Sequence, residues 1–119
     1  MAIQGLQDYE LPEEPPSDIE DGIRPLVEKI NQTRWMRTRQ SCEGHPEDEI
    51  GPWVWVELHF RWLDLLFGLV DDVNKQLGDW LIHCSYIGQE GNTYWFEIRG
   101  RYIRPEVSQQ MVDLLIRNL

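Results

Sequence analysis

The sequence predicts an α+β fold: a mostly antiparallel four-stranded sheet with helices on one face, in the element order α-β-β-α-β-β-α. Three observations predict it. Aromatic and β-branched segments with period-two alternation indicate strands, apolar residues at three- and four-residue spacing indicate helices, and the elements alternate as an αββ unit that occurs twice. A hydrophobic content of 41% in 119 residues suffices for one core.

The charge divides the chain into a tail and a body. Residues 1–23 contain seven acids and no Lys or Arg, whereas the rest of the chain contains 14 acids and 11 bases. Because Pro12, Pro15 and Pro16 join those acids, residues 1–17 are predicted to be an acidic flexible tail that precedes a single domain at 18–119. The net charge of −10 disfavours nucleic acid as the default partner, although the nearly balanced body does not exclude it.

The protein is predicted to be cytoplasmic, with no membrane among its partners. No apolar run approaches the roughly 20 residues that a membrane helix needs, and the first 20 residues lack the pattern of a signal peptide. The two cysteines are too few for a disulfide scaffold and suit a reducing compartment.

The first αββ unit begins with a helix signal. Ser17 and Glu20 have the spacing of a capping box, and Pro25 is tolerated near a first helical turn. Alternation with Trp and Thr indicates a strand, a loop rich in Gly and Pro follows, and the clearest strand of the chain comes next. The predicted elements are a helix at 21–32, a strand at 35–41, a loop at 42–52 and a strand at 53–60.

The second unit repeats this order and a closing helix follows it. Gly78 is a typical C-cap after a long apolar stripe, and Pro105 suits the first turn of a helix. The predicted elements are a helix at 62–77, a strand at 80–87, a hairpin loop at 88–92, a strand at 93–102 and a helix from 105 onward. In the last helix the residues predicted to face inward are Val107, Met111, Leu114 and Leu115.

The two units also resemble each other residue by residue. Residues 54–62 align with residues 94–102 at an offset of 40, with identical Trp, Glu and Arg positions. This match predicts an αββ duplication, and the alternative is a chance similarity between two amphipathic strands that share residue types. The first unit differs by its long loop at 42–52, where an added function is typically placed.

Alternation along the strands sorts their side chains onto two faces. The face toward the helices is predicted to hold the apolar set Val54, Val56, Leu58, Phe60, Tyr94, Phe96 and Ile98. The opposite face is predicted to hold Trp53, Trp55, Glu57, His59, Trp95, Glu97, Arg99 and Arg101, joined by Trp35, Arg37 and Arg39.

Three interpretations of this second face stay open. Tryptophans stack on bases and arginines pair with phosphates, so the face suits a small anionic ligand or RNA. It also suits a homodimer, or burial beneath the N-terminal tail. The third interpretation is an ordinary surface on which Glu57 and Glu97 pair with neighbouring bases.

The loop after the first strand concentrates reactive groups. Cys42 and His45 have a Cys-x-x-His spacing that suits two zinc ligands, with His59, His83 and Cys84 the other His and Cys residues that could join them. No second ligand pair at short spacing exists, so no metal site is predicted. A Cys–His nucleophile pair is a further alternative. The plainest alternative makes Cys42 a small core residue and His45 a turn former.

This loop resembles a motif of a known family. Ser41, Cys42 and Gly44 match the Ser-Cys-x-Gly motif of the wybutosine-synthesis tRNA methyltransferase family, which has Arg where this chain has His45. The resemblance covers about seven residues and implies a loop around S-adenosylmethionine or RNA. The pattern of Asn31, Thr38 and residues 41–45 is also similar to that of uncharacterised bacterial proteins.

These observations predict a small binding domain for a nucleotide-like ligand or RNA. The alternative is a non-catalytic homodimeric or protein-interaction module that uses the Trp/Arg sheet face. If the chain is an enzyme, Glu57 and His45 are the first candidates for acid–base catalysis. The predicted ligand-binding residues are Ser41, Cys42, Glu43, Gly44, His45, Trp55, Glu57, His59, Arg37, Arg39, Arg99 and Arg101.

Overall fold

The structure is a computed structural model that describes residues 19–119, so the predicted acidic tail lies outside the described residues. The elements are α1 Arg24–Thr33, β1 Met36–Cys42, β2 Trp53–His59, α2 Leu63–Leu77, β3 Ile82–Glu90, β4 Thr93–Gly100 and α3 Pro105–Asn118. Short 3-10 helices lie at Pro46–Asp48 and Phe60–Trp62. The predicted α+β class and element order are confirmed.

The four strands form one antiparallel sheet in the order β1-β2-β4-β3. One apolar core cluster joins all three helices to a single face of this sheet. The sheet residues of that core are Met36, Val54, Val56, Leu58, Ile82, Phe96 and Ile98. Alternate residues on the same strands point the other way, so the helices of the described chain leave the second face open.

The predicted C-terminal end of α2 and the predicted start of α3 are confirmed. Gly78 adopts a left-handed φ of 79° and its N–H bonds to the carbonyl of Asn74, which ends α2. Pro105 occupies the first turn of α3. In that helix Met111, Leu114 and Leu115 are buried and Val107 packs against the core.

The start of α1 differs from the prediction. The helix begins at Arg24 rather than at residue 21, with Pro25 in its first turn and no side-chain cap at Ile23. Glu20, the acid of the predicted capping box, accepts a hydrogen bond from the backbone N–H of Glu43 instead. Ser17, the other half of the box, lies outside the described residues.

A bulge in β1 decides which residues reach the open face. The register of β1 on β2 shifts between Thr38 and Gln40, so no residue of β2 lies opposite Arg39 in the backbone pairing. Beyond this point Cys42 pairs with Trp53, which lies on the open face, whereas Ser41 pairs with a core residue. A one-residue insertion therefore exchanges the faces of the residues that follow it.

The predicted hairpin between β3 and β4 is present, but its loop is shorter than the predicted 88–92. Strand β3 continues to Glu90 through a second irregularity between Tyr86 and Gly88, and only two residues connect it to β4. Gly91 has a φ of 58° at the first position of this connection, which a type II′ turn reserves for glycine.

Two face assignments are also wrong. Phe60 follows the end of β2, lies in a 3-10 turn and is 48% exposed, so it does not belong to the core. Trp35 precedes β1 and packs against the helix-side core rather than joining the open face. In both cases the residue continues the alternating pattern of a strand but lies just outside it, since β1 begins at Met36 and β2 ends at His59.

The β2–β4 pairing relates the two predicted repeats by a local two-fold axis. Val56 pairs with Phe96, so Trp55 faces Glu97 while Glu57 faces Trp95. This two-fold axis therefore relates each residue of β2 to the residue 40 positions later in β4. This geometry is compatible with an αββ duplication, and the duplication itself stays a prediction.

No helix within residues 19–119 combines the length and apolar character that crossing a bilayer demands.

Candidate functional site: the Trp/Arg face and the 41–45 loop

The open face is built around two carboxylates, and the first is Glu57. It lies on the central strand β2 and is only 5% exposed. Arg37 pairs with one of its oxygens, while Arg39 Nη1 donates to Oε2 at 3.0 Å. The indole N–H of Trp95 donates to the same Oε2 at 3.2 Å. Charge-assisted bonds from three sides thus compensate this buried carboxylate.

The second carboxylate is Glu97 on β4, which also accepts hydrogen bonds from a tryptophan and an arginine. The indole N–H of Trp55 donates to its Oε2 at 2.7 Å. Arg99 donates to both of its oxygens, at 2.7 Å from Nε and at 3.2 Å from Nη2. Each of the two tryptophans therefore bonds to the glutamate on the neighbouring strand, in a reciprocal exchange.

Stacking completes the surface. The guanidinium of Arg39 lies 4.6 Å from the ring centre of Trp95, and that of Arg99 lies 5.6 Å from the ring centre of Trp53. The rings of Trp53 and Trp55 are 5.4 Å apart. These contacts hold amphipathic side chains flat against the sheet. We call this surface the Trp/Arg face and define it by Arg37, Arg39, Trp53, Trp55, Glu57, Trp95, Glu97 and Arg99.

Glu97 makes the stability of the protein sensitive to acid. The hydrogen bond from Arg99 holds the pKa of Glu97 below its ordinary value of 4.5, with a further contribution from Trp55 and partial opposition from burial. Because the pKa is lowered on folding, this carboxylate stabilises the fold fully above pH 4.5 and loses that effect as the pH falls through its folded pKa.

We expect Glu97→Gln to flatten the pH dependence of the free energy of unfolding below pH 4.5. The measurement is urea unfolding at a series of acidic pH values. Glu106→Gln is the control, because the Glu106 side chain is 79% exposed. An unchanged slope in Glu97→Gln would show that the pair with Arg99 does not form in solution.

The 41–45 loop follows β1 and is hydrogen-bonded to the segment before α1. The N–H of Glu43 donates to Glu20 Oε1 at 2.9 Å, and the N–H of Gly22 donates to Glu43 Oε2 at 2.7 Å. The N–H of Gly44 lies 3.4 Å from the Sγ of Cys42. His45 Nε2 lies 3.8 Å from Glu20 Oε2. The loop is thus anchored to the segment in front of α1, which sequence reasoning did not foresee.

The two cysteines are both free thiols in different surroundings. Burial raises the pKa of Cys42, the Gly44 N–H lowers it, and Glu20 and Glu43 raise it further. Burial alone raises the pKa of Cys84 to about 12. Cys84 on β3 is partly buried and packs against the core.

The predicted ligand-binding residues fall into three groups. Arg37, Arg39, Trp55, Glu57 and Arg99 come together on the Trp/Arg face, and Cys42, Glu43, Gly44 and His45 come together in the loop at one end of it. Three residues are placed elsewhere. Ser41 pairs with a residue of the helix side, Arg101 lies beyond the end of β4, and His59 lies at the end of β2 opposite the loop.

His59 and the loop are therefore too far apart for one small ligand. The six-residue span from Trp53 to His59 corresponds to about 20 Å along the strand. At its own end the His59 ring accepts a hydrogen bond from the N–H of Arg61 and lies 4.7 Å from the ring of Phe60.

A groove of about 300 Å³ lies on the helix side of the molecule. Trp35, Leu69 and Asp72 line it together with the C-terminal Leu119. It shares no residue with the Trp/Arg face or the loop, so the predicted site does not coincide with it. Trp35, assigned to the open face by its parity, lines this groove instead.

No known protein family, curated protein or solved structure matches the chain.

Proposed function

We propose that this chain is a non-catalytic interaction module whose Trp/Arg face binds the same face of a second copy. The observation that carries the proposal is the fixed array of tryptophans and arginines on a sheet face that no helix of residues 19–119 covers. Tryptophan and arginine are the residues most enriched among those that dominate binding energy at protein interfaces.

The side chains of this face are already ordered before a partner arrives. Trp55 and Trp95 are fixed by hydrogen bonds to Glu97 and Glu57, and the arginines that hold those carboxylates also stack on indole rings. Association usually costs side-chain entropy at the interface, about 0.5–1.5 kcal/mol for each side chain that becomes immobile. An ordered face avoids much of this cost, which favours binding to another protein surface.

The charge pattern disfavours the nucleotide or RNA hypothesis. The arginines at positions 37, 39 and 99 each pair with Glu57 or Glu97, so their charges are largely compensated within the face before a phosphate approaches. The loop at one end of the face adds acids rather than bases. The acidic residues in and around it are Glu20, Glu43, Glu47, Asp48 and Glu49. Phosphate affinity depends on releasing counterions with bases. The face has one more arginine than it has glutamates, and the acids of the loop region outnumber that excess.

A second copy is the partner that the face fits best. It carries three arginines and two glutamates that pair within one copy, so the face is nearly neutral and a second copy meets little like-charge repulsion. Closed two-fold dimers use one self-complementary patch on both subunits and are the commonest oligomers. Two sheets that pack face to face with interdigitated side chains form the β-sandwich arrangement.

The test is the oligomeric state, measured by sedimentation equilibrium from low to high micromolar concentrations. Ser85 is exposed and pairs with Glu97 across β3 and β4, so it lies on the same face without belonging to the hydrogen-bond network. We expect Ser85→Tyr to weaken dimerisation at least tenfold, which corresponds to about 1.4 kcal/mol, because the added ring separates the two sheets.

Gln110→Tyr is the matched control, since Gln110 is exposed on α3 and lies on the helix side. It should dimerise as the wild type does. A wild type that stays monomeric throughout, or a dimer that Ser85→Tyr leaves intact, contradicts the proposal. Binding of short RNA or nucleotides that is lost in Arg99→Ala would favour the anion-binding hypothesis instead.

A further inference from the structure

The loop brings three metal-binding groups together from separate parts of the chain. One ligand atom from each of Glu20, Cys42 and His45 lies within 4.8 Å of the other two. We propose that these residues bind one zinc ion through the Glu20 carboxylate, the Cys42 sulfur and His45 Nε2. This site is independent of the dimer proposed for the Trp/Arg face.

The separation of the imidazole and the carboxylate approaches that of a tetrahedral zinc site. Zinc bonds of about 2.0–2.3 Å place neighbouring ligand atoms roughly 3.3–3.7 Å apart. The 3.8 Å between His45 Nε2 and Glu20 Oε2 is close to this range without any rearrangement of the backbone. The imidazole and the carboxylate therefore already occupy positions from which one ion can bridge them.

The backbone around Cys42 is shaped to present its sulfur. Gly44 donates its N–H toward Sγ, which favours the metal-binding thiolate and opposes the burial and nearby acids that raise the pKa of Cys42. Gly44 is buried and has a left-handed φ of 93°, and a Cβ at this position would lie 2.8 Å from the carbonyl oxygen of Ile50. Only glycine suits this turn, so the direction of the N–H toward sulfur is fixed by the fold.

His45 is oriented by a partner on its far side. Its backbone N–H donates to Ile50 at 2.8 Å and its carbonyl accepts from Ile50 at 3.1 Å, which fixes the residue at the base of the loop. Its Nδ1 lies 3.5 Å from a carboxylate oxygen of Glu47, while Nε2 points toward Glu20. Histidines that bind metals commonly have a carboxylate at the other ring nitrogen, which fixes the tautomer.

Glu20 is divided between two tasks. Its Oε1 accepts the backbone N–H of Glu43 at 2.9 Å, which fixes the carboxylate, and its Oε2 faces His45. The ligand set therefore joins the segment before α1 to the end of β1. Sequence spacing alone pairs Cys42 with His45, and the fold supplies the third ligand from 22 residues upstream of the cysteine.

The chemistry of the three groups selects the ion. Thiolate and imidazole favour zinc over magnesium or calcium, which prefer oxygen ligands alone. Three protein ligands leave a fourth tetrahedral position for water. The side chains of His45 and Glu20 are 40% and 33% exposed, so solvent reaches this position.

The test is a titration of the full chain with Zn²⁺, and with Co²⁺ as a spectroscopic substitute. We expect one ion per chain and an absorption band from the thiolate-to-cobalt charge transfer. Cys42→Ser should abolish this band. Cys84→Ser should keep it, because Cys84 packs against the core on β3, at the opposite edge of the sheet from β1. Circular dichroism before each titration verifies that the variants are folded.

Glu47→Gln tests the orienting carboxylate without removing a ligand. Loss of such a partner typically weakens metal affinity about 10–100-fold, so the zinc affinity should fall within that range while the cobalt band keeps its position. Absence of any charge-transfer band in the wild type overturns the proposal. It is equally overturned if Cys84→Ser removes the band or if Cys42→Ser leaves zinc affinity unchanged.

Discussion

Asn74→Ala is expected to lower the free energy of unfolding by about 3 kcal/mol, the largest effect of the substitutions considered. Asn74 lies on α2, is 3% exposed, and its amide bonds to both backbone groups of Ile82 at 2.9 Å. Ile82 is the first residue of the edge strand β3 and is itself buried. Alanine would leave two buried backbone groups without partners, each costing about 1–3 kcal/mol. Urea unfolding followed by tryptophan fluorescence measures the loss.

Asn31→Ala is the matched control on the other edge of the sheet. The Asn31 carbonyl oxygen accepts the N–H of Thr38 at 3.0 Å and its amide donates to the Thr38 hydroxyl. Both residues are half-buried and only one backbone group loses its partner, so we expect a loss of about 1 kcal/mol. Equal losses for the two variants would contradict the role assigned to Asn74.

Glu57→Ala is expected to cost about 2 kcal/mol of stability, within the range for hydrogen bonds to a charged group. The substitution removes the acceptor for Arg37, Arg39 and Trp95 together. Two of these groups stay partly hydrated, because the Arg37 and Arg39 side chains are each 47% exposed. That exposure keeps the loss below the 3–5 kcal/mol of a fully buried broken pair.

Glu97→Ala is the corresponding change at the two-fold related position. Glu97 is more exposed than Glu57 and holds one arginine rather than two, so its loss should be about 1 kcal/mol. Thermal and urea unfolding of both variants at neutral pH give the comparison. The central place given to Glu57 is refuted if Glu97→Ala is the more destabilised of the two.

Much of the fold could be predicted from local signals. Gly78 and Pro105 mark helix ends through backbone preferences that belong to the residues themselves. The aliphatic residues Val54, Val56 and Leu58 at alternate positions identify the core face of β2. These signals need no knowledge of distant contacts, and the structure confirms them.

The face on which each side chain of β1 lies could not be predicted, because a bulge is a property of the pairing of two strands. Simple alternation from Arg37 and Arg39 places Ser41 on the open face and Cys42 on the helix side. The register shift at Arg39 exchanges them. It keeps both arginines near Glu57 and turns Cys42 toward Trp53.

Glu20, the third member of the proposed metal site, also could not be found from the sequence. Glu20 was interpreted as the acid of a capping box with Ser17, a local pattern that competes with any tertiary role. The interpretation failed because α1 begins later, at Arg24, which frees the Glu20 carboxylate for the loop. The Cys-x-x-His pair is the part of the site that the sequence shows, and only the fold brings Glu20 to it from 22 residues upstream of Cys42.

The most direct test of the interface is nuclear magnetic resonance of the tryptophan indoles at increasing protein concentration. The chain has six tryptophans, whose N–H signals can be assigned with single Trp→Phe variants. We expect the signals of Trp55 and Trp95 to shift together with concentration, while that of Trp80, which is 64% exposed outside the face, stays fixed. No concentration dependence at Trp55 and Trp95, or a shift of Trp80 alone, would contradict the proposal that the Trp/Arg face joins two copies.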